Sequence, residues 1–184
     1  MSTIVHEHDW PDRVVIGTVG RPGSRTFYLQ ARTGRRTTSV ALEKEWAAVL
    51  AEKIDVILDE LLASDGNPFS VPAQALPELV DADPVEQPVE EDFRLGSMRL
   101  SWDPTTAQIV VEAFPLVEVD SEEEAESIEG TEPTEALLLR LPVGTARAFA
   151  ERTRQVVQAG RPDCPLCGRP MDPDGHVCPP PVAR

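Results

Sequence analysis

Three runs near the amino terminus, RVVIGTVG (13–20), RTFYLQAR (25–32) and RTTSVALE (36–43), are rich in β-branched and aromatic residues. Arg-Pro-Gly-Ser and Thr-Gly-Arg separate them, and turn formers between strand-prone runs predict an antiparallel meander. A short strand around Ile4–His8 is expected ahead of it. The period then changes. Trp46, Val49, Leu50, Ile54, Ile57, Leu58, Leu61 and Leu62 recur at steps of three and four, the pattern of an amphipathic helix. Glu43 and Glu45 suit its positive end, and Asp65-Gly66-Asn67-Pro68 stop it.

From Phe69 to Glu91 the apolar period is lost. Prolines at 68, 72, 77, 84 and 88 mixed with acids exclude a helix or a central strand and predict an acidic linker, or a belt around the fold. FRLGSMRLSW (93–102) and AQIVVEAFPLVEV (107–119) then read as strands, joined by the hairpin turn Asp103-Pro104-Thr105-Thr106. The acidic insert DSEEEAESIEGTEPTE (120–135) has little to bury and reads as mobile. ALLLRL (136–141) is a last strand. Pro142 fits the first position of a helix, where a missing N–H costs nothing, and VGTARAFAERTRQVVQ continues that helix to Gly160.

The halves resemble each other. SVALEKEWAAVLAEKI (39–54) lies on LLRLPVGTARAFAERT (138–153) at a constant offset of 99, matching Val40 to Leu139, Leu50 to Phe149 and Glu52 to Glu151. Internal similarity suggests two copies of one unit, although two unrelated units of the same architecture would also share this much. The expected fold is α+β: a mainly antiparallel sheet built from two strand-strand-strand-helix units, with halves about 1–67 and 93–160 and a linker at 68–92. A separate tail, 161–184, follows this 1–160 domain.

Composition adds class and compartment. With 184 residues, 41% hydrophobic and 27% charged, the chain can bury one ordinary core. No apolar run approaches the roughly 20 residues needed to cross a bilayer, and MSTIVHEHDW lacks the basic start and apolar segment of a leader, so a cytoplasmic protein is expected. The net charge of −15 is uneven: −2 over residues 1–77, −16 over 78–135 and +3 over 136–184. Residues 13–42 carry six arginines and no acid.

All three cysteines fall within CPLCGRPMDPDGHVC (164–178), with one of the three histidines. Three thiols gathered at one end do not make a disulfide framework. Cys164-x2-Cys167, then His176-x-Cys178 at hairpin distance, supply the four donors of a closed Cys3His zinc site. Gly168 suits a tight turn with N–H groups facing sulfur, and Asp172-Pro173-Asp174-Gly175 suits a type I turn that brings the second pair back to the first. A redox dithiol normally opens a helix, which Pro162, Pro165 and Pro170 disfavour. A catalytic zinc keeps an open position, whereas four donors here fill the shell. The expected cofactor is a structural Zn2+ held by Cys164, Cys167, His176 and Cys178, with no catalytic residue assigned.

Other motifs carry less. Gly17, Gly20 and Gly23 with Arg21 and Arg25 precede a strand rather than a helix, which favours a hairpin turn over a phosphate loop. His6 and His8 share one face of a strand and could pair on a metal, but no third ligand is near in sequence. Arg21, Arg25, Arg32, Arg35 and Arg36, with Arg147, Arg152 and Arg154 on the last helix, are candidates for a surface that takes phosphate or an acidic partner. The chain's own acidic segments compete for them.

PDRVVIGTVGRPGSRTFYLQA, VALEKEWAAVLAEKI, LGSMRLSWD and AGRPDCPLCGRPMDPDGHVCP together resemble the actinobacterial family called domain of unknown function 3090, over nearly the whole chain. The resemblance implies no activity; it implies genes near proteins similar to lipid kinases and histidine phosphatases. The expected function is that of a zinc-binding adaptor whose partner is another protein, not a membrane. The alternatives are an enzyme acting on a phosphorylated small molecule, its arginines serving as phosphate clamps, and a nucleic-acid-binding protein, which the net charge opposes.

Overall fold

The computed structural model describes residues 3–118, 132–160, 164–169, 171 and 175–178. The expected insert at 120–135 lies mostly outside them, as does the turn at 172–174. The strands are β1 (Ile4–Asp9), β2 (Arg13–Val19), β3 (Thr26–Thr33), β4 (Arg36–Leu42), β5 (Phe93–Asp103), β6 (Gln108–Pro115) and β7 (Glu135–Pro142). The α-helices among these residues are α1 (Lys44–Leu62) and α2 (Val143–Gln158), and the linker holds one turn of 3-10 helix at Pro77–Leu79. Among the described residues no helix is long and apolar enough to cross a membrane.

The fold is α+β, with one mixed sheet in the order β1-β7-β6-β5-β4-β3-β2. Two antiparallel meanders, β2-β3-β4 and β5-β6-β7, meet through a short parallel pairing of Val40 and Ala41 with Phe93 and Arg94. Each meander feeds a helix. β4 and β7 begin at Arg36 and Glu135, and α1 and α2 at Lys44 and Val143, in both cases 99 residues apart. Pro142 is the cap residue of α2 rather than its first turn, with extended geometry (φ −57°, ψ 153°). The missing N–H is harmless at either position.

The core lies between the two helices and one sheet face. Leu50, Ile54 and Leu58, one turn apart on α1, are at most 1% exposed, and they pack with Leu29, Val40, Ile109, Leu137, Leu139 and Phe149. Burying each such side chain stabilises by about 1.5–3 kcal/mol. Arg147 of α2 enters the same interior at 5% exposure. It is neutralised by Asp55 at 2.8 Å and Asp59 at 2.7 Å, and it also donates to the Pro72 carbonyl at 3.1 Å.

β1 corrects the simple meander. It does not join β2; it pairs in parallel with β7 at the opposite edge, Ile4 with Glu135 through Asp9 with Arg140. Seven strands laid flat would separate the two edges by about 29 Å. The link from Asp9 to Arg13 reaches at most about 14 Å. The sheet therefore curls, and the contacts agree: Arg36 donates to the Glu7 carbonyl, and His8 of β1 reaches Thr33 and Thr38.

The linker serves both sides of the first meander: Val71 joins the core beside the helices, and residues 81–86 pack as a belt on the far face. Val71 and Val85 are buried at 2% exposure, and a Cβ on Gly17 would stand 2.7 Å from Val85 Cγ1, so that strand position needs glycine. Gln30 bonds both backbone groups of Glu86, from its amide N to the carbonyl (3.2 Å) and to its amide O from the N–H (2.7 Å). Arg13 binds Asp81 through two nitrogens at 2.6 and 3.1 Å and also the carbonyls of Asp83 and Pro84. That ion pair raises the Arg13 pKa and holds the Asp81 carboxyl below its ordinary value.

Candidate metal centre

The short segment 164–169 is shaped by its own backbone. Gly168 N–H donates to the Cys164 carbonyl at 2.8 Å, and Cys164 N–H donates to the Arg169 carbonyl at 2.7 Å. The turn demands φ of +69° at position 168, which glycine adopts without a Cβ clash. The N–H groups of Leu166 and Cys167 thereby point at Cys164 Sγ and lower the pKa of its thiol. Sequence spacing had indicated such a turn but not which amides would face which sulfur.

His176 and Cys178 return to this turn. Cys167 Sγ stands 2.9 Å from His176 Nε2, and Cys164 Sγ stands 3.5 Å from Cys178 Sγ. All four donor atoms lie within 4.8 Å of one another. Ligands at about 2.0–2.3 Å around a tetrahedral ion are separated by about 3.4–3.8 Å, so one ion fits among them with small adjustments. Without an ion the thiols compete for protons: the hydrogen bond to Cys164, then burial, push Cys178 up to about 11. A divalent cation replaces those protons and is the natural counter-charge for three thiolates. The residues thus fit a metal ion, and the spacing read from sequence does bring these four together.

The candidate arginines are not brought together. β3 runs about 25 Å from end to end, with Arg21 and Arg25 at one end and Arg35 and Arg36 at the other. Arg25 donates to the Ala159 carbonyl at 3.0 Å and lies 5.4 Å over the Phe27 ring. Arg32 pairs with Glu86 of the belt at 2.6 Å. Arg147 and Arg154 line a cleft of about 780 Å³ together with Asp55, Asp59 and Glu151, and both already bind those carboxylates. Arg152 borders a separate cleft of about 580 Å³ with Arg13, Glu78, Asp81 and Asp83. Both clefts hold more acids than arginines, an arrangement that repels rather than clamps a phosphate.

A family model described as "Protein of unknown function (DUF3090)" matches residues 6–178, which includes all four candidate ligands. No curated protein and no solved structure matches the chain.

Proposed function

The chain belongs to the DUF3090 family, and from that premise we propose that it is a non-catalytic binding protein whose tail is organised by one structural zinc ion. Cys164, Cys167, His176 and Cys178 hold the ion, and the convergence of these four donors within 4.8 Å carries the reading. Zinc suits a Cys3His set because it accepts soft and borderline ligands tetrahedrally, and four protein ligands leave no position for a reactant.

The partner is another protein, and the knuckle offers the contact. Leu166 and Val177, the residues between ligands, are 87% and 93% exposed. Apolar side chains presented this openly on a metal-stiffened turn suit a small hydrophobic recess on a partner. The shared offset of 99 between the two β4-α1 and β7-α2 segments supports reading the sheet as a duplicated unit.

Metal analysis of the purified chain and cobalt substitution test the zinc reading. One zinc ion per chain is expected, and Co2+ in its place gives the intense charge-transfer absorption of several thiolates. A chain purified without metal that also fails to take up Co2+, or an exchangeable water on the bound ion, contradicts it. For the partner, proteins captured by the intact chain are expected to be lost together in a Leu166→Glu, Val177→Glu variant that retains its metal.

A further inference from the structure

A second group of metal-ligating atoms lies where the curled sheet closes. His6 of β1, Asp92 just ahead of β5 and Glu135 at the start of β7 each offer one ligand atom, and these atoms lie within 4.8 Å of one another. His6 and Glu135 come from paired strands, with His6 Nε2 2.6 Å from Glu135 Oε1 and side chains only 19% and 25% exposed. Asp92 belongs to the β4–β5 seam. Its N–H donates to the Ser39 carbonyl at 2.9 Å, and its Oδ2 accepts the Ser39 N–H at 2.8 Å, which fixes the direction of the carboxylate.

The charge balance of this group differs from that of the chain's other ion pairs. Among the described residues Asp81, Glu86, Glu43, Asp103, Asp55, Asp59 and Glu151 each pair with an arginine. Asp92 and Glu135 have no Lys or Arg ion-pair partner among them, although their carboxylates are held close together. His8, two residues along β1, is not available as a ligand, since both its nitrogens are bonded to threonine hydroxyls.

We propose that His6, Asp92 and Glu135 form a metal site, distinct from the cysteine cluster, for a divalent cation of the Mn2+ or Fe2+ class. One imidazole and two carboxylates are borderline and hard donors, which favour these ions over those that seek thiolate. The ion takes the place of the hydrogen bond between His6 Nε2 and Glu135 Oε1 and supplies positive charge beside two carboxylates that no Lys or Arg pairs among the described residues. Three protein ligands leave the remaining positions to water or to an oxygen-bearing ligand, unlike the four-donor knuckle.

Mn2+ titration tests this, with the free aqua ion followed by electron paramagnetic resonance. The full chain and a Cys167→Ser, Cys178→Ser variant are each expected to bind one Mn2+. His6→Ala and Asp92→Asn are expected to weaken binding by at least about tenfold, in line with the loss of a ligand or its support. Asp92→Asn can still accept the Ser39 N–H and alters an exposed residue, so it reports on the site even where His6→Ala impairs folding. Absence of stoichiometric binding overturns the proposal. Equal affinity in the Asp92→Asn variant also overturns it, as that places the ion on the acidic segments. Loss of Mn2+ in the cysteine variant alone overturns it by assigning the ion to the tail. None of these outcomes depends on the zinc reading.

Discussion

Arg147 on α2 donates to Asp55 on α1 across 2.8 Å, and this pair ties the two helices together inside the core. Removing one partner of a buried ion pair leaves an uncompensated charge, typically at a cost of about 3–5 kcal/mol. Arg147→Ala is expected to fall at the lower end of that range, because Asp55 keeps Arg154 and Asp59 is 66% exposed. Asp59→Ala should cost less than about 1 kcal/mol. Urea unfolding of both variants checks the order, and equal effects would show that Arg147 contributes only packing.

Cys167→Ser is expected to remove the metal from the tail while the core keeps its unfolding midpoint. The ligands all lie at 164–178, after the last helix ends at Gln158. Metal content by mass spectrometry and thermal unfolding by circular dichroism give the two readouts. Stoichiometric zinc retained by the Cys167→Ser, Cys178→Ser variant would falsify the ligand assignment.

Gly96→Ala should destabilise strongly, by about 1–3 kcal/mol or more. A Cβ there would lie 2.5 Å from Leu116 Cα and 2.7 Å from the Pro115 carbonyl oxygen, backbone that cannot rotate away. At Gly66, with φ +77° and no atom within 4 Å, alanine meets only backbone strain, about 1 kcal/mol. Denaturant midpoints of the two variants should separate accordingly.

His8 makes stability depend on pH. It is fully buried, and burial first, then the charges of Arg36 and His6, lower its pKa from 6.5 to about 4, against a smaller raising effect of Asp92. The unfolded chain then binds a proton more readily than the folded one, so stability is complete above about 6.5 and declines as pH falls toward 4. Melting temperatures across that window should fall less steeply in His8→Gln. An identical slope in the variant would remove His8 as the cause.

The local elements were legible because each carries its own local signal. The β-branched run RVVIGTV and the three- and four-residue steps from Trp46 to Leu62 correspond to β2 and α1 in the structure. The cysteine cluster was legible for a related reason: its donors are close in sequence and chemically unusual. Asp92 and Glu135 carry no such mark, because they reach His6 only through the curl of the sheet. The burial of Arg147 was equally hidden, since its partners lie on the other helix 92 and 88 residues away. The full burial of His8 follows only from the closing of β1 against β3 and β4, which the sequence does not write locally.

The pairing of β1 with β7 sets an order of assembly. β1 has its hydrogen-bonding partner 131 residues later, at Glu135. It must wait unpaired until β7 has been made, well after the first meander can form. Whatever joins His6 to Glu135 is therefore absent from any intermediate that lacks β7, and it comes into being as the curled sheet closes.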